Sequence, residues 1–124
     1  MAARQPAHVL VAEDNALVSG AMRILFEDSG YRVSIAPTIT ETVATAASDP
    51  VDVLLLDLGL ADGDGLTAIE ELHVRGAMPR VAVALTGRDD RLTQERCLAA
   101  GCTAVLVKPV PARELLAKVR SWVG

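Results

Sequence analysis

The chain has 124 residues, is 51% hydrophobic, carries one Trp, one Tyr and one Phe, and has a net charge of −4. That length makes one domain, able to bury roughly two-thirds of its unfolded surface without staples, around a core that must be aliphatic. The acidic balance argues against direct nucleic-acid binding, which Lys and Arg drive, and no 18-residue apolar run is present to insert in a membrane.

Met1–Ala7 lacks the apolar core of a signal peptide and is expected to be a frayed tail, with the domain proper over residues 8–124. His8–Ala12 reads as a short apolar first strand that ends on Glu13-Asp14. Asn15 opens a helix to about Ser29, with Leu17, Ala21, Ile24, Leu25 and Asp28 marking its spacing and Gly30 stopping it. Tyr31–Ala36 alternates as a second strand. Thr38 and Glu41 fit a capping box for a helix that ends at Asp49-Pro50. Val51–Leu56 is an apolar third strand running straight into Asp57. After an acidic, glycine-rich loop, Leu66, Ile69 and Leu72 mark a helix that stops at Gly76. Arg80–Leu85 is a fourth strand, ending on Thr86-Gly87. Asp89–Ala100 is a polar helix stopped by Gly101. Thr103–Val107 is a fifth strand, ending on Lys108-Pro109. Pro111 suits the first turn of a last helix, with Leu115, Leu116, Val119, Trp122 and Val123 turned to the core. Strict alternation of strand and helix implies a parallel sheet with helices on both faces, joined by right-handed crossovers.

In such a sheet function gathers at the C-terminal strand ends. There the chain carries Glu13 and Asp14, then Asp57, Thr86 and Lys108. Carboxylates converging on one rim repel, and a hard divalent cation with oxygen ligands relieves the conflict. Lys108 supplies a compact positive charge for Asp57 or for a phosphoryl oxygen. Thr86 offers a hydroxyl to the same oxygens, and Gly87 leaves room for a bulky group. Asp57 is itself a nucleophile, so the chemistry this set fits is an aspartyl-phosphate.

Val11-Ala12-Glu13-Asp14-Asn15, Leu55-Leu56-Asp57-Leu58-Gly59-Leu60, Asp64-Gly65, Leu85-Thr86-Gly87 and Val107-Lys108-Pro109 together resemble the receiver domain of two-component response regulators. The resemblance spans residues 8–123. It implies a flavodoxin-like (βα)5 fold, a five-stranded parallel sheet of order 2-1-3-4-5. It implies that Asp57 takes phosphate from a phosphohistidine on a sensor histidine kinase or a histidine phosphotransfer protein. Glu13, Asp14, Asp57 and the backbone carbonyl of Gly59 would hold Mg²⁺, with Mn²⁺ as an alternative. Thr86 and Lys108 would contact the phosphoryl group and report it, and the Lys108-Pro109 bond is often cis in that family. Two positions depart from the pattern. Ala61 stands where proline is usual, which costs some loop stiffness. Val105 stands where an aromatic ring often swings inward, so the ring-based readout is missing.

The expected role is a phosphoacceptor signalling domain of the cytoplasm that assists its own phosphorylation and dephosphorylation without being a turnover enzyme. Its downstream protein would dock on the face of the fourth helix, fifth strand and last helix, and a phosphorylation-dependent homodimer is a further expectation. A stand-alone receiver is the first expectation, and a receiver cut from a longer regulator or hybrid kinase the second. A Mg²⁺-dependent phosphatase of the haloacid dehalogenase type is disfavoured, because its acid/base Asp would fall at Gly59. A phosphorylation-independent binding module is disfavoured by the intact acid, Thr and Lys set.

The remaining motifs have plainer readings. Gly63-Asp64-Gly65-Leu66-Thr67-Ala68 matches a dinucleotide fingerprint, but Asp62 and Asp64 would repel a pyrophosphate. These two acids are expected to be structural, with Asp64 capping the third helix. An EF-hand fails at Leu66. Arg88 is expected in a solvated helix start or at the phosphate entrance. Cys97 and Cys102 are read as reduced helix or core residues, His8 as a strand-edge residue and His73 as a helix-surface residue.

Overall fold

The computed structural model describes residues 6–123. The expected tail therefore falls largely, over Met1–Gln5, outside the described residues. Five strands, β1 (His8–Ala12), β2 (Arg32–Ala36), β3 (Val53–Asp57), β4 (Val81–Thr86) and β5 (Ala104–Val107), alternate with five helices, α1 (Ala16–Asp28), α2 (Ile39–Ser48), α3 (Leu66–Arg75), α4 (Arg91–Ala100) and α5 (Ala112–Val123). The sheet has the order β2-β1-β3-β4-β5, and every pairing is parallel.

Alternate side chains of each central strand enter opposite layers, as the pleat requires. Leu54 and Leu56 join α2, α3 and α4 through Val43, Ile69, Leu72 and Cys97. Val53 and Leu55 join α1 and α5 through Phe26, Leu115 and Val119. The core is aliphatic, as composition requires, and among the described residues Phe26 is its one fully buried Phe, Tyr or Trp ring.

Register fixes the working edge. Ala12 pairs with Leu56, Asp57 with Leu85, and Thr86 with Val107. Glu13, Asp57, Thr86 and Lys108 thus arrive side by side from four strands.

Side chains set the helix starts. Asn15 accepts the N–H groups of Leu17 and Val18 at 3.0 and 3.3 Å, and Thr38 accepts that of Glu41 at 3.0 Å. The hydroxyl half of the capping box at Thr38 is therefore present. The first N–H of α2 goes to a distant acid: Asp62 accepts from Ile39 at 2.9 Å. α4 begins two residues later than its sequence indicates, because the Asp90 carboxylate accepts the Thr93 N–H at 2.7 Å and so caps the helix.

The inward face of α1 differs from the expected one. Leu17 and Ile24 are 86% and 63% exposed and Ala21 is exposed, whereas Ser19 and Phe26 are buried. Apolar residues occupy both sides of this helix, so its spacing alone favours two stripes. The stripe through Ser19, Met22 and Phe26 meets the sheet, and the Ser19 hydroxyl is satisfied by the Ala16 carbonyl at 3.4 Å. The other stripe, with Leu17, Val18, Ala21 and Leu25, forms an open apolar groove of about 380 Å³ with Val110, Ala112 and Leu115.

His8 is also more deeply placed than a strand-edge residue. It is 1% exposed, and its ring nitrogens meet the Pro50 carbonyl at 2.9 Å and the Ser34 hydroxyl at 2.7 Å. β1 lies between two strands, so its first residue is covered on both sides. His73 is exposed on α3, and Cys97 and Cys102 are buried free thiols. Burial pushes the Cys102 thiol up to about 12, which keeps it protonated and inert.

Candidate functional site

Asp57 is the last residue of β3 and is buried to 7% exposure. Its Oδ1 accepts the Gly59 N–H at 3.0 Å and lies 3.0 Å from the Lys108 ammonium. Its backbone is held as closely as its carboxylate. A Cβ at Gly65 would stand 2.8 Å from the Asp57 carbonyl oxygen and 3.0 Å from the Leu58 Cα. Only glycine lets the loop fold back this tightly against the strand end.

Glu13, Asp14 and Asp57 each bring a carboxylate oxygen to within 4.8 Å of the others. Glu13 and Asp57 are buried, and Asp14 is exposed. The Asn15 N–H bonds Glu13 Oε2 at 3.0 Å, which leaves the other oxygen to the cluster. Burial raises the Glu13 pKa above its ordinary value; the Asn15 N–H opposes the rise, and the Asp57 charge adds to it. Three acids so close, faced by one lysine, carry an excess of negative charge. Oxygen-only donors, partly buried and partly open to water, fit a hard cation such as Mg²⁺ that keeps several waters.

Thr86 ends β4 and is buried, and its Oγ1 accepts the Arg88 N–H at 3.0 Å. Lys108 comes directly after β5; its backbone N–H bonds the Thr86 carbonyl at 2.7 Å, and its side chain is 39% exposed. The Lys108–Pro109 peptide bond is cis. Asp57, Gly59, Thr86, Gly87 and Lys108 line a cavity of about 440 Å³, which leaves space beside the Asp57 carboxylate. Ala61 and Asp62 lie in the exposed loop before α3. Asp64 accepts the Leu66 N–H at 3.0 Å, in keeping with a structural cap. Val105 is half-buried in β5, beside Ala84 of β4, and packs on the core layer that contains α4.

Three residues of the same cavity, Arg88, Thr93 and Arg96, lie outside the quoted motifs. With Leu58 and Asp64 they complete its lining. Arg96 and Asp64 form an ion pair at 2.8 Å, and Arg88 pairs with Asp90 at 3.1 Å. Thr93 and Arg96 lie on a helix whose only buried residue is Cys97, so no hydrophobic period marks them. The available signal is their spacing from the Asp90 cap: three and six residues on, they fall on one helix face.

A parallel α/β sheet that gathers three acids, a threonine and a lysine at one edge defines a receiver-type domain. The model of the response regulator receiver domain matches residues 9–120, and the chain belongs to that family. Receiver domains are phosphoacceptor signalling domains of two-component systems, working with histidine kinases or phosphotransfer proteins. Among curated relatives, it is 34% identical over 113 residues to the KDP operon transcriptional regulatory protein KdpE of Escherichia coli K12, covering 91% of this chain and 49% of that protein. It is 35% identical over 115 residues to the transcriptional regulatory protein KdpE of Mycobacterium tuberculosis H37Rv, covering 93% and 50%. The chain thus spans about half the length of these relatives. Among solved structures, it matches the receiver domain of the sensor histidine kinase PA1611 of Pseudomonas aeruginosa PAO1, which has magnesium in its active site cleft. The TM-score is 0.84 at 28% identity, over 97% of this chain and 99% of that one. No helix among the described residues is long and apolar enough to cross a membrane.

Proposed function

We propose that Asp57 is the phosphoacceptor of this receiver domain and that its donor is a phosphohistidine on a sensor kinase or phosphotransfer protein. In the transfer the donor's N–P bond breaks as an Asp57 O–P bond forms, and the imidazole leaves. The single observation that carries this reading is the setting of Asp57. One buried carboxylate lies 3.0 Å from a lysine and within 4.8 Å of two further acids, and it lines a cavity with ample room for a phosphoryl group.

Glu13, Asp14, Asp57 and the Gly59 carbonyl would hold Mg²⁺, or Mn²⁺ by the same oxygen set. A bound cation supplies neutralisation of the charge that develops on the phosphoryl oxygens. Lys108 exchanges part of its pairing with Asp57 for a phosphoryl oxygen. Thr86 turns its hydroxyl to another, giving up the Arg88 N–H, and Gly87 keeps the approach clear. The donor protein reaches Asp57 at the C-terminal edge of the sheet. The exposed apolar groove of α1 with Val110 and Ala112 adjoins that edge and suits a protein contact. Downstream contacts, including a homodimer, are assigned to the α4–β5–α5 face, where Leu92 and Leu98 are 67% and 55% exposed.

The decisive experiment is acid-labile labelling from acetyl phosphate with Mg²⁺. Wild-type protein should take up label, and Asp57→Asn should abolish it while leaving the fold intact by circular dichroism. Undiminished labelling of that variant would overturn the assignment.

A further inference from the structure

Arg96 and Asp64 both line the phosphoacceptor cavity and pair there at its half-exposed side. The Arg96 guanidinium donates to Asp64 Oδ2 at 2.8 Å, while Asp64 Oδ1 accepts the Leu66 N–H at 3.0 Å. One end of this bridge is therefore fixed at the start of α3, close behind Asp57 in the chain. The other end rides on α4. That helix has little else to hold it, since only Cys97 is buried and Leu92 and Leu98 face solvent. Arg96 and Thr93 nevertheless turn toward the cavity, so α4 supplies its outer wall.

We infer that Arg96, acting through Asp64, is a positioning residue that holds α4 as the outer wall of the cavity and limits the access of small molecules to Asp57. The inference rests on the reading of Asp57 as phosphoacceptor. A wall of this kind acts alike on entry and on exit. Acetyl phosphate must pass it to place its phosphoryl group on Asp57, which releases acetate. Water must pass it to attack the phosphorus of the aspartyl-phosphate, which releases inorganic phosphate and restores the carboxylate. Loosening the wall raises both rates together.

The variants Arg96→Gln, Asp64→Asn and their combination test this. Asn at position 64 keeps an oxygen for the α3 N–H, so the helix start survives the loss of charge. Both partners are about half-exposed, and an exposed ion pair is worth little, so the expected effects are roughly two- to fivefold. In each single variant, label from acetyl phosphate with Mg²⁺ should appear faster by that factor. After donor removal it should disappear faster by a similar factor. Backbone amides of residues 91–100 should exchange faster in the unphosphorylated protein. The double variant should match the single ones, because the two groups act as one pair. Unmoved rates, a change in only one of the two rates, or additive effects in the double variant would each overturn the wall. If the wild-type protein takes no label, the phosphoacceptor reading falls and the wall with it. Normal wild-type labelling with unmoved variants removes the wall alone.

Discussion

β3 and β5 lie two places apart in one sheet, but they are packed in different ways. Every residue of β3 is buried, and α3 beside it buries four side chains. Every residue of β5 is only half-buried, and α4 beside it buries one. Asp57, the proposed phosphoacceptor, is delivered by the first pair. The helix that walls its cavity belongs to the second. Asp57, 3.0 Å from the Lys108 ammonium, is placed on the closely packed part of the sheet. α4, which lines the same cavity, is placed where little packing resists movement.

Two truncations and one change of pH can break this contrast, and the largest effect lies in β3. Leu54→Ala removes a fully buried side chain from the central layer and should cost about 2–5 kcal/mol of stability in urea unfolding. The same kind of truncation in β5 should cost much less. Val105→Ala removes two methyl groups from a half-buried position, for about 1 kcal/mol. Equal losses at the two positions would erase the contrast. The smallest effect is a matter of pH. The Thr93 N–H and hydroxyl, and then Arg88, hold the Asp90 carboxyl below the ordinary carboxylate range. A lowered folded pKa contributes stability above the unfolded value and loses it as pH falls through the folded one. On acidification the start of α4 should therefore fray while β3 stays protected, as amide hydrogen exchange along the chain will show. Simultaneous loss of protection in both would count against a separately held α4.

The converging strand ends were legible because β1, β3, β4 and β5 are short apolar runs ended by a polar residue, whereas the sheet order came from the resemblance to receivers. Glu13, Asp57, Thr86 and Lys108 can be found by asking which polar residue closes each run, and the resemblance to receivers rests on the same residues. The cavity wall was not legible in this way. Thr93 and Arg96 sit on a polar helix, where period carries no information, and only the tertiary fold brings Arg96 to Asp64. The inward face of α1 was misleading for the opposite reason. Leu17 and Ile24 are apolar but exposed, and the buried Ser19 looks polar until its hydroxyl finds the Ala16 carbonyl. Asp62 was legible as structural, yet its partner at Ile39 was not, because the bond joins two segments far apart in the chain.

β5 has a further consequence for assembly. It is an edge of the sheet, only four residues long, and Lys108-Pro109 comes directly after it. A strand from another molecule laid along it would find a short ladder and then a residue with no N–H to offer. Short edges closed by proline discourage the extension of a sheet from one chain to the next. This edge favours partners that meet the face through side chains, in a contact that can be made and released without rebuilding the backbone.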